Sequence, residues 1–358
     1  MRIIVSVVLL QSAAGFKFRC IKCNAKCIVE DWNPSEEGYF FLAHIPNTTD
    51  EIKLVNLQNA LLDGQFFSKM TRLFVSLSIE NSPMLAVVII PATCTAQLVI
   101  MHRTGVRNVR FEGNSIIKSV IIRRSPLRDV PVTLVTLPNV QHVLLQYTRI
   151  VSVDLHWFYP LKGLVTLKVM KSNVEFVHGA GDFNSTSALN AINLSYNMLR
   201  TVNLNVFAPF AELMQLVLTH NRIESLTGAL NAPSLTGLML DHNYLKALDV
   251  CAWNVLPELR GLALANNYLT QIPTCLERFP CLGNVDLKRN QISFVRWDEL
   301  QKLPQLASIN LSFNRISAIP SNESQYPPRL NQMDLKGNPI ENATLPDGLN
   351  DSIHDPFG

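Results

Sequence analysis

The sequence predicts an α/β solenoid, a curved horseshoe with a parallel β-sheet on its concave face and short helical or irregular segments on its convex face. An eleven-residue phrase with apolar residues at positions 1, 4, 6 and 11 recurs seven times in the C-terminal half. Asparagine fills position 9 of every copy, at intervals of 22 to 24 residues. Three preceding segments keep the apolar frame but carry Ser125, Thr148 and Ser172 at position 9.

The seven regular copies begin with LNAINLSYNML at Leu189 and end with LNQMDLKGNPI at Leu330. Such regular spacing is the signature of a repeat architecture, in which one coil cannot bury its apolar side but stacked neighbours can. The position-9 asparagines are Asn197, Asn221, Asn243, Asn267, Asn290, Asn314 and Asn338.

Each phrase predicts a short strand followed by a turn. Alternate strand residues point to opposite faces, so positions 4 and 6 should face inward and positions 5 and 7 outward. The turn buries backbone groups that have no strand partner, and an asparagine amide offers both a donor and an acceptor to satisfy them. We therefore expect each amide to close its own turn and link to the adjacent coil.

Reading towards the N-terminus, the phrase weakens but continues. We expect about thirteen coils over residues 51–345, after a cysteine-containing N-terminal cap at 16–50 and before a tail at 346–358. The weaker copies begin at Leu164, Val140, Ile117, Thr95, Phe74 and Ile52.

After each phrase, apolar residues continue in a fixed pattern, as at Val202, Phe207 and Phe210. The whole unit resembles the 24-residue leucine-rich repeat of extracellular proteins. With its cysteine cap and irregular early coils, the chain also resembles insect leucine-rich-repeat immune proteins. In mosquitoes, that resemblance implies a partner that is a complement-like thioester protein or another leucine-rich repeat protein. The best-known members also carry a C-terminal cysteine pair and a coiled coil, whereas no cysteine follows Cys281 here.

Residues 1–15 resemble a secretory signal peptide, with a positive charge at Arg2, an apolar run to Leu10 and small residues before Phe16. A buried N-terminal strand is the alternative. No later run approaches the roughly 18 apolar residues that span a bilayer, so we expect a secreted, extracellular protein without a membrane span.

Composition indicates an ordered chain. Hydrophobic residues make up 47% and charged residues 16% of the sequence, which argues against disorder. The net charge is only +3, so the balance gives no reason to expect nucleic acid as a partner.

Seven Asn-x-Ser/Thr sequons predict glycosylation, although those at Asn193 and Asn310 arise from the repeat phrase itself. Asn350 carries a further sequon in the tail. The predicted glycosylation sites are Asn47, Asn184, Asn322 and Asn342.

The cysteines predict disulfide bonds. Cys20, Cys23 and Cys27 lie where extracellular repeat proteins of this type carry a cysteine-rich cap, and a zinc site there would lack a second ligand pair. Cys251 and Cys275 share position 17 of neighbouring coils, close enough for a disulfide, with Cys281 as a competing partner and buried free thiols as an alternative. The odd total of seven predicts an unpaired thiol or a disulfide-linked dimer; a non-covalent dimer is the further alternative.

Catalytic motifs are missing from the sequence, so we expect neither an enzyme nor a cofactor. His220 and His242 share position 8 of adjacent coils, and the alignment gives His102 the same position earlier. A third metal ligand is not evident beside them, which favours solvated side chains over a metal site.

Function is then expected to lie on the concave face. The outward positions of the coils from Thr95 to Lys171 form an apolar strip bordered by basic and aromatic residues, a composition typical of protein interfaces. An extracellular-matrix or developmental adhesion protein and a truncated Toll-type receptor ectodomain are the alternatives to immunity. The predicted partner-binding residues are Val99, Met101, His102, Ile121, Arg123, Arg124, Leu144, Tyr147, Lys168 and Met170.

Overall fold

A computed structural model describes residues 9–11, 15–21, 25–70, 73–179 and 187–340. The chain divides into two compact units. The first unit comprises Met1–Val153 with Trp157–Asn173, and the second comprises Asp154–His156 with Val174–Gly358.

The first unit is built on a long sheet that begins with antiparallel pairing, β1 with β2 and β2 with β3, and continues in parallel through β4, β6, β8, β10, β11 and β13. β5, β7 and β9 form a second parallel sheet. The strands to the end of this unit are β1 (Leu9–Gln11), β2 (Lys17–Ile21), β3 (Lys26–Glu30), β4 (Glu51–Val55), β5 (Leu61–Leu62), β6 (Ser76–Glu80), β7 (Val87–Ile90), β8 (Leu98–His102), β9 (Asn108–Phe111), β10 (Ser119–Arg123), β11 (His142–Gln146), β12 (Ser152–Asp154) and β13 (Thr166–Met170).

The second unit repeats the plan with shorter strands. Its parallel sheet runs through β15, β17, β19, β20, β21, β22 and β23, while β16 pairs with β18. The bounds are β14 (Phe176–His178), β15 (Ala191–Asn193), β16 (Thr201–Asn203), β17 (Gln215–Val217), β18 (Ser225–Thr227), β19 (Gly237–Met239), β20 (Gly261–Ala263), β21 (Asn284–Asp286), β22 (Ser308–Asn310) and β23 (Gln332–Asp334).

Helices are short and lie in the connections between strands. The α-helices are α1 (Pro34–Glu37), α2 (Gly64–Lys69) and α3 (Trp297–Leu300). The 3-10 helices are Phe40–His44, Val132–Thr136, Leu155–Phe158, Leu204–Phe207, Leu276–Arg278 and Glu323–Gln325.

The core of each unit consists of rows of strand side chains from positions 4 and 6. Leu216, Leu238 and Leu262 occupy the same register in neighbouring strands and are completely buried. Hydrophobic burial of this kind is the main stabilising term in folding. One coil supplies only part of such a row, so stacking is required for the row to leave water.

An asparagine ladder joins the coils of the second unit, as the sequence predicts. The amide nitrogen Nδ2 of Asn221 donates to the carbonyl of Leu218 in its own coil at 2.9 Å and to that of Leu194 in the preceding coil at 3.0 Å. Its Oδ1 accepts the backbone N–H of Leu199 at 3.2 Å. Corresponding bonds to the preceding coil are made by the position-9 amides of Asn243, Asn267, Asn290, Asn314 and Asn338. The first four of these side chains are buried, and Asn338 is partly exposed.

A hydroxyl ladder replaces the amides in the first unit. Ser125 donates to the carbonyl of Arg123 at 3.2 Å and shares a hydrogen bond of 2.8 Å with Thr104. Thr148 and Ser172 form the same kind of pair at 2.8 Å. A hydroxyl is shorter than an amide and carries fewer donors, so it seals the turn with fewer bonds.

At position 8 of each coil, the chain turns away from the direction of the preceding strand of the long sheet. The residue at position 8 adopts a left-handed conformation, with φ of 54° at Arg103, 53° at Tyr147 and 54° at His220. A non-glycine residue rarely adopts such a φ, and here it recurs from coil to coil. The turn places a row of position-8 side chains beside the end of the strands.

Two of the predicted repeat frames are wrong. In the first predicted coil, strand β4 buries Ile52 and Leu54 and leaves Val55 partly exposed. Ile52 therefore occupies position 4 of that coil and not position 1. The frame beginning at Thr95 is displaced by one residue, because Ala96 opens that coil and Val99 aligns with Val120. A one-residue shift exchanges the two faces of a strand, so this error affects the predicted site.

Candidate functional site

We call the solvent-facing positions 3, 5 and 7 of the long parallel sheet the strand face. In the first unit, its centre is apolar: Ile100, Ile121 and Leu144 occupy position 5 of three neighbouring strands and are each partly exposed. Register places Ile100 beside Ile121 and Ile121 beside Leu144. We call these three residues the apolar strip. Lys168 continues the row in the next strand.

Two of the predicted partner-binding residues lie in the core and not on the strand face. Val99 and Met101 are completely buried in the core, so the prediction that they face outward is wrong. The strand Leu98–His102 exposes Ile100 and His102 in part, and Ile100 takes the place expected for Val99. His102 therefore lies at position 7, opposite Arg123, and the position-8 residue of that coil is Arg103.

Basic and aromatic side chains border the apolar strip. Arg123 follows at position 7, with Met170 at the same position two strands on, and Arg124, Tyr147 and Lys171 lie at position 8. The guanidinium carbon of Arg124 is 5.1 Å from the centre of the Tyr147 ring, and the Lys171 ammonium is 5.5 Å from the same centre. Cations at this distance are attracted to the ring, which holds the row together. The structure thus brings the remaining predicted residues together.

The coils that carry the apolar strip are positively charged. Residues 97–153 contain eight of the chain's 31 lysines and arginines but only two of its 28 acidic residues. In the described parts of the chain, none of these eight cations forms a salt bridge. Partial burial lowers the pKa of His102, and the charge of Arg103 lowers it further, against an opposing effect of Glu80.

The neighbouring N-terminal coils differ because their charges are paired. Lys26 binds Glu51 at 2.6 Å, and Lys53 binds Glu80 at 2.7 Å across adjacent strands. Partial burial of Glu80 opposes ionisation, but the hydrogen bond and charge of Lys53 outweigh it, so the pKa of this carboxyl is lowered. This part of the strand face neutralises itself, whereas Arg103, Arg123 and Arg124 beside the apolar strip form no salt bridge in the described parts of the chain.

Polar residues on the strand face of the second unit satisfy the protein's own backbone. The Oδ1 atoms of Asn193, Asp286 and Asp334 at position 5 accept the N–H of position 7 in the same coil at 2.9, 3.0 and 2.9 Å. Asn310 does the same at 3.1 Å, and Asp241 accepts the N–H of Ala265 at 2.8 Å. These side chains are engaged within the fold, which makes this face a weaker candidate for binding.

Two disulfide bonds are present among the described residues. Cys20 is joined to Cys27 with a Cα separation of 4.1 Å, and Cys251 to Cys275 with 5.0 Å. Cys281 is a partly exposed free thiol, so it does not compete for Cys275. Cys23 lies outside the described residues, and the zinc alternative for the cap loses Cys20 and Cys27 to their disulfide.

Cys94 is the other free thiol in the described parts of the chain, and it is buried. Burial raises the pKa of this thiol to about 11. The thiolate is the reactive form of cysteine, so Cys94 is unreactive at neutral pH.

The predicted glycosylation sites divide into two groups. Asn47 and Asn322 are exposed, as attachment of a glycan requires. Asn184 and Asn342 lie outside the described residues. Glycosylation of all four remains a prediction.

The two position-8 histidines stack on each other. The rings of His220 and His242 are 4.0 Å apart and nearly parallel, and Tyr196 stacks on His220 at 4.1 Å. Stacked rings direct their nitrogens outward at their edges, which is poor geometry for one shared metal ion. We interpret the pair as part of the position-8 row.

Sequence reasoning missed Ile100 and Arg103. Four consecutive apolar residues, from Leu98 to Met101, hide the alternation that reveals a strand's two faces. The spacing from Ala96 to Val99, Met101 and Val106 would have given the correct frame.

Comparison with known proteins places the fold. The leucine rich repeat family model matches residues 177–223, 233–292 and 280–340. No curated protein sequence matches this chain significantly. Within the described residues, none of the helices has the length and apolar character needed to cross a membrane.

Two solved structures illustrate the likeness. A chain of the Toll–Spatzle complex of Drosophila is similar with a TM-score of 0.62 and 16% identity over 94% of this chain and 50% of that chain. An internalin from Listeria monocytogenes is similar with a TM-score of 0.51 and 16% identity, over 87% of this chain and 86% of that one. The present chain spans about half the length of the Toll-complex chain. With the family match and the parallel sheet, these likenesses show that the chain folds as a leucine-rich repeat solenoid.

Proposed function

We propose that this leucine-rich repeat protein is secreted and binds another protein through the strand face of its first unit. The observation that carries the proposal is the apolar strip of Ile100, Ile121 and Leu144, which is partly exposed. Arg103, Arg123 and Arg124 border it and form no salt bridge in the described parts of the chain. An apolar centre with a polar border that includes arginine and tyrosine is typical of protein interfaces.

Secretion is supported by the disulfides and the sequons. Cys20–Cys27 and Cys251–Cys275 would persist in an oxidising environment and would be reduced in the cytosol. The exposed side chains of Asn47 and Asn322 could carry glycans in that setting. Expression with residues 1–15 in a secretory host tests this point: a glycosylated product in the medium supports it, and retention in the cell contradicts it.

The binding face is tested by affinity capture from extracellular fluid with paired variants. Ile121→Asp with Leu144→Asp places two charges on the proposed site, and capture of the specific partner should fall at least about tenfold, because burying an unpaired charge is costly. Val217→Asp with Met239→Asp is the matched control, since these residues occupy position 5 of two neighbouring strands in the second unit. Equal losses for both pairs, or a loss for the control alone, would contradict the proposal.

We further propose that the setting is innate immunity, with a complement-like thioester protein or another leucine-rich repeat protein as the partner. Support comes from the sequence resemblance to insect immune proteins. The similar Drosophila structure is of a complex described as a hub in development and innate immunity. Capture of a thioester protein by the wild type, lost with Ile121→Asp and Leu144→Asp, is the expected result. A matrix protein captured instead would favour the adhesion alternative.

A further inference from the structure

An open groove lies beside the apolar strip, where the strands of the first unit end. Its volume is about 650 Å³, and residues from positions 8 to 10 of neighbouring coils line it. Its walls include Arg103, Arg124, Tyr147 and Arg149, and Pro83 and Pro126 add rigid apolar surface.

The floor of the groove is tightly packed. A side chain at Gly105 would place its Cβ 2.0 Å from the carbonyl oxygen of Pro83 in the preceding coil, so only glycine fits there. Beneath the surface, the buried hydroxyls of Thr104 and Ser125 share their hydrogen bond. The backbone segments that carry Arg103 and Arg124 are therefore fixed by contacts between neighbouring coils.

The groove carries positive charge and no acidic lining residue. Arg103, Arg124 and Arg149 are exposed, and in the described parts of the chain none of the three forms a salt bridge. The left-handed backbone at Arg103 and Arg124 sets both guanidinium side chains on the same edge of the sheet. Arginine presents a planar fork that matches the two oxygens of a carboxylate.

We propose that this groove receives carboxylate side chains of a protein segment whose apolar residues cover the strip of Ile100, Ile121 and Leu144. The inference rests on the proposed function and adds the chemistry of the partner: an acidic segment that also carries apolar side chains. Charge complementarity selects an anion. The adjacent apolar strip favours a polypeptide over a sulfated polysaccharide, because a polysaccharide would gain little from covering isoleucine and leucine.

Three defined probes test the inference by titration against the wild-type protein. They are a random copolymer of glutamate and tyrosine, poly-glutamate of equal length, and heparin. The copolymer is expected to bind about tenfold more tightly than poly-glutamate, because its tyrosines bury apolar surface on the strip. Ile121→Asp should remove that advantage.

Charge variants separate the groove from the general basicity of the region. Arg103→Gln with Arg124→Gln should weaken copolymer binding about tenfold, as expected for two partly exposed ion pairs. Arg110→Gln with Arg128→Gln changes the net charge equally at exposed sites outside the groove lining and should have little effect. Equal effects of the two pairs would overturn the inference.

The remaining outcomes are also decisive. Heparin binding more tightly than the copolymer, unaffected by Ile121→Asp, would overturn the protein segment in favour of a polysaccharide. In the capture experiment, the partner could be lost with Ile121→Asp and Leu144→Asp but retained with Arg103→Gln and Arg124→Gln. That result would support the proposed function and contradict the role of the groove. If both double variants capture the partner as well as the wild type does, the proposed function itself is contradicted.

Discussion

In the second unit an asparagine seals each turn, whereas in the first unit, from Ser82 to Ser172, a serine or threonine does so. In the long sheet, the strands of the first unit from β2 to β13 extend over five residues, as at Ser119–Arg123, and those of the second over three, as at Gly261–Ala263. The asparagine explains the difference. Asn267 donates to the carbonyl of Leu240, the position-6 acceptor that would otherwise take the position-7 N–H of the next strand in a parallel ladder.

The shorter strand changes what the exposed face must do. Once an amide side chain occupies the position-6 carbonyl, the N–H of position 7 needs another acceptor. In four coils of the second unit that acceptor is an Asn or Asp at position 5, as with Asp286 and the N–H of Lys288. In the first unit the ladder itself extends to position 7, so Ile121 and Leu144 can occupy position 5. Four regular coils thus engage position 5 in the fold, while the coils of Ile121 and Leu144 leave position 5 available.

The largest expected effect is removal of one amide from the ladder. Asn267→Ala loses four hydrogen bonds in the interior and leaves the buried N–H of Leu245 without its acceptor, which should lower the free energy of unfolding by about 4 kcal/mol. Ser125→Ala, the corresponding change in the hydroxyl ladder, should cost about 1 kcal/mol. Urea unfolding measures both values, and equal costs would break the comparison.

The two disulfides give the next effect. The chain-entropy relation depends on loop length, and the bridges close sequence separations of 24 residues at Cys251–Cys275 and 7 at Cys20–Cys27. Replacing both cysteines by serine should therefore cost about 3.5 kcal/mol in the second unit and about 2.5 kcal/mol in the first. Urea midpoints compare the variants, and a larger loss for the shorter loop would contradict this ranking.

A substitution on each strand face sharpens the contrast directly. Asp286→Ala leaves the N–H of Lys288 without its acceptor and should cost about 1 kcal/mol. Ile121→Thr keeps the branched side chain and removes only partly exposed surface, so its cost should stay within about 0.5 kcal/mol. A larger cost for Ile121→Thr than for Asp286→Ala would show that the apolar strip stabilises the fold. The strand face of the second unit would then be the one less engaged in the fold.

The smallest effect concerns pH. Partial burial, followed by the charge of Arg289, lowers the pKa of His242 in the folded protein. As pH falls, the unfolded chain binds this proton first, so stability is complete above the unfolded pKa of about 6.5 and is lost as pH falls through the folded value. His242→Gln should make the free energy of unfolding less dependent on pH between 7 and 5. An unchanged slope would contradict the assignment.

Sequence alone predicts the solenoid and the role of its amides, because a polar residue at fixed spacing inside an apolar frame is typical of stacked coils. The predicted frame is wrong in two of the six coils that lack the asparagine. At Leu98–Met101 the apolar run carries no marker of which residues face inward. The left-handed conformation at Arg103 and the acceptor role of Asp286 escape prediction for a different reason. The N–H of Arg103 donates to the carbonyl of Arg123 in the next coil, and Asp286 accepts the N–H of Lys288 two residues on; neither bond is marked by the apolar spacing that reveals the repeat.

Labelling of arginines in the purified complex tests the binding face most directly. A glyoxal reagent modifies exposed guanidinium groups, and mass spectrometry compares each site in the free protein and in the complex with its captured partner. Protection of Arg123 and Arg124 in the first unit, with Arg222 and Arg260 in the second unit unchanged, is the expected result. Protection of Arg222 and Arg260 with undiminished labelling of Arg123 and Arg124 would contradict the account.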